Sequence, residues 1–437
     1  MMDCFRQPSR YQFFFYVLII LAGHSLPAGC EQGGAGKEQY KEAARPQRQD
    51  PAAENAVKIR VFLFEAAAVD IGCQSSAYGI EEGINRKERA RFEAGRAVVL
   101  HRTQSRWHLR DKKGESLLPE DALTAERVEI VPDQSSAVSV GADEIKQYRG
   151  TIRCVATGPD RFAVVNVVDI ESYLKGVVGS EMYPYWFKAA LRAQSIAART
   201  YALYQMQGRT EQDNWDIGSG QSSQVYGGMA RENLRVNEAV NDTRGIVLAY
   251  GEGGREKIFS TYYSSICGGH TQSAAMTFGD RAIEPLAGRA CPYCRLSAPS
   301  ERYRWPRVRI DKKQLSDRLV SKYPQLAPWG EIVDVKVVAR SDYGRVEALE
   351  LTGRNNQRCR IRGEAFRLAV STPQERLLSS WYELKVEGNF WSFGDGHGWG
   401  HGVGLCQHGC QALAREGKDC IKILQYYYPQ AVLVRAY

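Results

Sequence analysis

The sequence is poor in the features that mark membrane spans, nucleic-acid binding and repeat architectures. Its N-terminal apolar run, Phe13 to Gly23, holds about eleven residues, too few for a helix crossing a bilayer, which takes roughly 20. Lys and Arg form no block or stripe. The formal charge of +8 therefore reads as solvated surface and gives no argument for nucleic acid as a partner. No internal repeat is present, which excludes a solenoid or a propeller. No motif pairs two carboxylates. The bulk composition is ordinary: 43% apolar and 25% charged residues are the fractions of a soluble protein. A chain of 437 residues suffices for two or three packed units.

Residues 1–56 read as targeting and tether. Arg6 and Arg10 precede the apolar run, and Leu26-Pro27-Ala28-Gly29-Cys30 follows it. A basic start, a short apolar segment and small residues make an export signal over 1–30. Ala-Gly-Cys is similar to a bacterial lipoprotein cleavage site, with Cys30 as the acylated residue. Cleavage by an ordinary signal peptidase and an uncleaved anchor are the alternatives. Residues 31–56 are polar, with too few large apolar side chains to fold, and read as a linker. The expected location is the cell envelope, with the membrane reached through a lipid or an N-terminal anchor.

From Val57 the pattern is that of an α+β protein: a β-rich N-terminal lobe (57–150), then a mixed region (151–437) built around one long alanine-rich helix. Val57, Ile59, Val61 and Leu63 alternate as on one face of a strand. Short strand candidates follow at 97–100, 107–109, 128–131, 149–155 and 162–168. Asp169 suits the N-cap of a short helical turn through Leu174. The long helix is expected after Pro184, its alanines from Ala189 to Ala202 favouring helix and close packing. Lys188, Arg192 and Arg199 share one of its faces. A glycine- and serine-rich loop, 213–229, holds Trp215, Gln224 and Tyr226. Such long loops are usually functional or mobile.

Three constellations carry chemistry. Glu181 lies a few residues before the long helix, where an N-terminal position would lower its pKa. Burial beside Met182, Tyr183, Tyr185 and Trp186 would raise it. A capping carboxylate and a catalytic acid are both open on local grounds. The glycine run 393–417, FGDGHGWGHGVGLCQHGCQALAREG, carries His397, His401, Gln407 and His408. Its glycines let the backbone approach another surface, and His401 and Gln407 suit either a substrate or the orientation of the glutamate. A tight structural loop is the alternative. Eleven cysteines are present. Cys267-x-x-His270 and Cys291-x-x-Cys294 have the spacing of a closed four-ligand zinc site, with disulfides as the alternative in an exported protein. Cys406 and Cys410 form a second cluster, and Cys73, Cys154, Cys359 and Cys420 read as core fillers. Tyr183, Tyr185, Trp186, Trp215, Tyr226, Tyr262, Tyr263 and Trp399 gather around these motifs. That set suits a glycan groove or, for part of it, core packing.

Five segments in order, YLKGVVGSEM, ALRAQSIAARTYAL, SQVYGG, S-x-CGGHT and GWGHGVGLCQHG, resemble the stage II sporulation protein D (SpoIID/LytB) family of bacterial cell-wall proteins. The resemblance runs from about Val57 to the C-terminus. It implies a peptidoglycan lytic transglycosylase that prefers glycan strands stripped of stem peptides by an amidase. The family's S/A-E-M-P glutamate falls on Glu181, with the proline displaced by one residue to Pro184. Its A-R-T-Y-A segment makes Arg199 and Tyr201 groove residues, and Gln224, Tyr226, His401 and Gln407 are assigned to the same groove. Where the family carries G-V-G-M-S-Q-Y-G-A, this chain has Cys406 for serine and Cys410 for alanine. A lytic transglycosylase needs one carboxylate, because the muramyl C6 hydroxyl is the nucleophile; a hydrolase needs two, with Asp216 and Asp395 as the runners-up here. The alternative role in this group is a non-catalytic wall-binding enhancer of an N-acetylmuramoyl-L-alanine amidase.

Overall fold

The computed structural model describes residues 56–437 except 120–122, 134–135 and 252–254. The export signal, Cys30 and the linker up to residue 55 lie outside the described residues. No helix among the described residues is long and apolar enough to cross a membrane. The architecture is α+β.

Two sheets form the N-terminal part. A seven-stranded sheet runs in the order 217–218, 58–66, 161–169, 151–158, 127–132, 78–82 and 87–92, and a five-stranded sheet in the order 106–110, 97–103, 68–72, 137–141 and 146–149. Their apolar residues share one core, in which Trp107 lies 5.0 Å from Phe162. The first strand departs from strict alternation. Ile59 and Val61 are fully buried as expected, but Arg60 between them is buried too, and a bulge separates Phe62 from Phe64. Arg60 is buried because Asp216 receives its guanidinium at 2.6 Å and its backbone N–H at 2.8 Å.

Helix α1 (Ile170–Glu181) follows directly, capped by Asp169, whose carboxylate accepts from the N–H groups of Glu171 and Ser172. It runs seven residues past the turn expected at Leu174, because Val177 and Val178 supply a second buried turn. Gly179 lets the backbone at Arg231 lie against it; a Cβ there would sit 1.9 Å from the Arg231 carbonyl. Helix α2 (Lys188–Met206) starts four residues after Pro184 and is buried along most of its length. Its small side chains leave the room that α1 and α3 (Leu234–Asp242) fill, and α2 also packs on the C-terminal helices 407–415 and 420–427.

Two distant stretches are then woven together. Tyr263-Ser264 pairs in parallel with Leu405-Cys406, and Ile266 bridges Trp399. Gly404 makes the approach feasible: its φ is +71°, and a Cβ would fall 1.9 Å from the Tyr262 carbonyl. Between these stretches lies a region with its own core, built from strands 308–311, 332–340, 346–353, 358–362, 383–387 and 390–394 and helices 312–322 and 363–370. Trp305, Leu349, Phe366 and Phe393 are among its buried members.

Candidate active site

Glu181 is the last residue of α1, followed by the extended Met182. The helix end beside it is a C-terminus and not the N-terminus of α2, so the partial negative charge of α1 opposes ionisation of the carboxylate. Its side chain is partly exposed yet densely surrounded. Burial pushes its carboxyl above the usual range, opposed by two neutral donors. Those donors are the Val225 N–H, 3.1 Å from Oε1, and the Gln407 amide, 3.3 Å from Oε2. No ion pair to Glu181 is found among the described residues.

Three segments far apart in sequence meet at this carboxylate. The end of α1 brings the acid, the 219–226 loop brings Val225, and the glycine run brings Gln407. Gln224 is fully buried and is not exposed to a ligand. Its amide oxygen accepts from the Tyr173 hydroxyl at 3.0 Å, and its NH2 donates to the Ala198 carbonyl and to the Tyr263 hydroxyl. Tyr226 is also buried and donates to Asn166 at 2.9 Å. Tyr201 is nearly buried, with its hydroxyl pushed up to about 12 by burial. All three of these expected groove residues are buried side chains.

Arg199 departs from its expected place in the groove. It is fully buried, and Glu171 takes its guanidinium in a two-pronged ion pair at 2.9 and 2.7 Å. Carbonyls of Val240 and Ile246 take other N–H groups. On α2 the face of Lys188 and Arg192 turns to Asp242 of α3, while Arg199 faces the core. His401 lies on the inner side of the glycine run. Its Nδ1 accepts from the Val403 N–H at 2.9 Å, Tyr262 and Phe278 hold the ring edge-on, and burial lowers its pKa to about 4. It is a neutral imidazole at physiological pH, as is His408, also lowered to about 4 and packed against Trp186. Asp216 is held by Arg60, which removes it as a second acid. Asp395 is exposed at φ +48°, beside a cavity of about 420 Å³ lined by Arg304, Trp305 and His397.

The cysteine cluster corrects the expected ligand set. Sγ atoms of Cys267, Cys291, Cys294 and Cys406 lie within 4.8 Å of one another, all buried. His270 is elsewhere: its ring stacks on Tyr343 at 3.7 Å and its Nδ1 faces the Thr271 carbonyl. The parallel pairing of 263–264 with 405–406 carries Cys406 to the place expected of the histidine. Cys410, one helical turn on, instead contacts the Ala190 carbonyl of α2, so Cys406 and Cys410 are not a pair. None of the described cysteines is in a disulfide.

The donors fit a tetrahedral metal. Zinc bound by four thiolates at about 2.3 Å spaces sulfurs about 3.8 Å apart, and Cys267 and Cys294 Sγ are 3.6 Å apart. The Cys267 N–H donates to Cys406 Sγ at 3.2 Å, and the Tyr427 hydroxyl lies 3.2 Å from Cys291 Sγ. Neighbouring thiols lower the Cys291 pKa, while burial raises those of Cys267 and Cys406. Beside the cluster Arg345 is fully buried, donating to the Cys267 carbonyl at 2.8 Å, with no ion-pair partner among the described residues. Such a cation suits the net −2 charge of a divalent ion held by four thiolates. In the sequence Cys406 stands out as half of a second cluster with Cys410 and as a departure from the family's serine; Val225 acts through its backbone, and no side-chain pattern marked Arg345.

Comparison with known proteins places this geometry. The stage II sporulation protein (SpoIID) family matches residues 159–250, which hold α1, α2 and the 219–226 loop. A domain of unknown function (DUF8618) matches residues 297–404, which cover the second core. An uncharacterized protein of Brachyspira hyodysenteriae is 34% identical over 284 residues, 64% of this chain and 71% of that protein. The stage II sporulation protein D of Bacillus subtilis is 26% identical over 317 residues, 68% of this chain and 84% of its own. The amidase enhancer of the same organism is 24% identical over 302 residues, 60% of this chain and 40% of its own. The chain belongs to the SpoIID family.

Proposed function

We propose that this protein is a peptidoglycan lytic transglycosylase with Glu181 as its acid and base. The carrying observation is the condition of Glu181: a partly exposed carboxyl at a helix C-terminus, raised by burial and held, among the described residues, by neutral donors. That is the state a general acid needs at neutral pH. The protonated carboxyl gives its proton to the glycosidic oxygen as the muramyl C1–O bond breaks. The C6 hydroxyl of the same sugar closes on C1, and its proton returns to the Glu181 carboxylate. The products are a 1,6-anhydro-muramyl end and a free hydroxyl on the departing sugar, with no water consumed. Tyr183, Tyr185 and Phe187, exposed by 43%, 73% and 46%, follow the acid directly and offer apolar faces to sugar rings.

In this reading Gln407 and Val225 hold the carboxylate, and zinc at Cys267, Cys291, Cys294 and Cys406 is structural. All four positions would be filled by protein, so the metal supplies rigidity next to Gln407 and no open position. Residues 1–30 would direct export and residues 31–56 would tether the enzyme to the envelope. A second reading is favoured by the similarity to an amidase enhancer: a strand-binding protein that stimulates a cell-wall amidase. The deciding experiment incubates peptide-free glycan strands with the protein and analyses products by mass spectrometry. Anhydro-muramyl ends that vanish in Glu181→Gln are expected. Strand binding without such ends in wild type would favour the enhancer, and ordinary reducing ends would indicate hydrolysis.

A further inference from the structure

Outside the carboxylate site, Trp399 of the glycine run is partly exposed, with two guanidiniums over its ring. Arg302 Cζ is 4.4 Å and Arg376 Cζ 5.5 Å from the ring centroid. Neither arginine has a carboxylate partner among the described residues. Arg376 donates to the side-chain oxygen of Gln221 at 3.3 Å. Gln221 belongs to the same loop as Val225, whose N–H holds Glu181. At the other end, Trp399 bridges Ile266, and the adjoining Ser265 carbonyl accepts the His408 N–H next to Gln407. The two cations are thus anchored to both segments that hold the acid.

Two like charges against one ring repel each other, and partial burial removes water that would screen them. Burial, then Arg367 and Arg302, disfavour the charge on Arg376. Stacking on tryptophan offsets part of this cost and fixes the guanidinium planes. An anion held at these guanidiniums would relieve the remainder. The guanidinium fork fits a carboxylate.

Resting on the transglycosylase reading, we infer that Arg302 and Arg376, on the Trp399 ring, bind the lactyl carboxylate of a peptide-free muramyl residue. An amidase that removes the stem peptide turns a lactyl amide into a free carboxylate, one negative charge on each stripped muramyl unit. An intact stem peptide replaces that anion with a neutral amide. The arginine pair is therefore the selector for stripped strands. Both arginines lie in residues 297–404, outside the segment that matches SpoIID, so the selector is contributed by the second core region and its flank.

The test uses full-length Glu181→Gln protein and three probes at 0.15 M salt: peptide-free strands, the same strands with their carboxylates converted to amides, and chitohexaose. Peptide-free strands are expected to bind about tenfold more tightly than the amidated strands or chitohexaose, the scale of a charge-assisted hydrogen bond. Arg302→Gln/Arg376→Gln should abolish that preference, while Lys422→Gln/Arg435→Gln, removing two charges elsewhere, should keep it. Equal binding of the free and amidated strands by the parent protein would overturn the inference without any variant, as would a preference that survives in a folded double variant. The two readings fail separately. Carboxylate preference without anhydro ends in wild type sinks the transglycosylase and keeps the selector. Anhydro ends formed equally from amidated strands sink the selector and keep the enzyme.

Discussion

The two ends of helix α1 carry the same residue type in opposite conditions. At its start Glu171 is 2% exposed and is surrounded by donors: Arg199, the Gly245 N–H and the Tyr437 hydroxyl. Burial alone would raise its pKa, but the Arg199 pairing outweighs it and the carboxylate is held below its usual range. At the other end Glu181 has two neutral donors and, among the described residues, no cation, and burial prevails. Each helix end reinforces the contrast, the N-terminus favouring a charge and the C-terminus opposing one. A buried glutamate with an arginine is held ionised; a crowded glutamate with neutral donors alone is shifted toward its protonated form.

The sharpest test of this contrast is Glu181→Gln. Removing a general acid should cost on the order of 10²–10⁴ in the rate of anhydro-end formation. The fold should not suffer. A carboxyl with a raised folded pKa favours the native state fully only below its unfolded pKa, and loses that contribution as pH rises through the folded value. The amide escapes this loss, so its melting temperature should exceed that of wild type at neutral pH and match it at acid pH. A marked drop in stability at neutral pH would make Glu181 architectural after all.

Arg199→Ala should do the reverse. Leaving Glu171 buried and unpaired costs about 3–5 kcal/mol, read by denaturant unfolding, with KM for glycan strands unchanged in the protein that still folds. Unchanged stability with a raised KM would return Arg199 to the groove. Stability from the Glu171 pair is present above the unfolded carboxylate pKa and is lost as pH falls through its depressed folded value, opposite in sign to Glu181.

The thiol cluster next to Gln407 extends the comparison. Metal content should be about one equivalent per chain, fall sharply in Cys406→Ser and persist in His270→Ala. The opposite pattern would restore the histidine as ligand. The smallest effect is expected from Gln407→Leu, which removes a donor to the ionised carboxylate. Activity should fall roughly tenfold. The alkaline limb of the pH–rate profile, where Glu181 loses its proton, should move to higher pH. A limb that stays put or moves down would show that Gln407 does not act on the acid.

Much of the fold was legible in local pattern. Asp169 caps a helix where its position suggested one, and the first strand, 58–66, lies where Val57 to Leu63 alternate. Capping and periodicity involve neighbours a few residues apart, so a window of sequence contains them. The extent of α1 was not legible, since Val177 to Glu181 are helical through packing against the 226–231 segment. Nor was the separate core of 305–393, whose apolar residues look like any others until they are grouped in space.

For the site, the sequence by itself singled out Glu181, Gln407 and three of the four clustered thiols, because motif order and short Cys spacing survive in one dimension. Only the tertiary structure decided which groups act on them. Glu181 sits at a helix C-terminus because α1 continues, and its pKa is raised because burial prevails where no cation among the described residues pairs with it. Arg199 is architectural because Glu171 lies across the core. Cys406 takes the place expected of His270 in the thiol cluster because a parallel pairing joins residues 142 positions apart. Charge state and ligation depend on what surrounds a group in space, and separation along the chain carries little of that information.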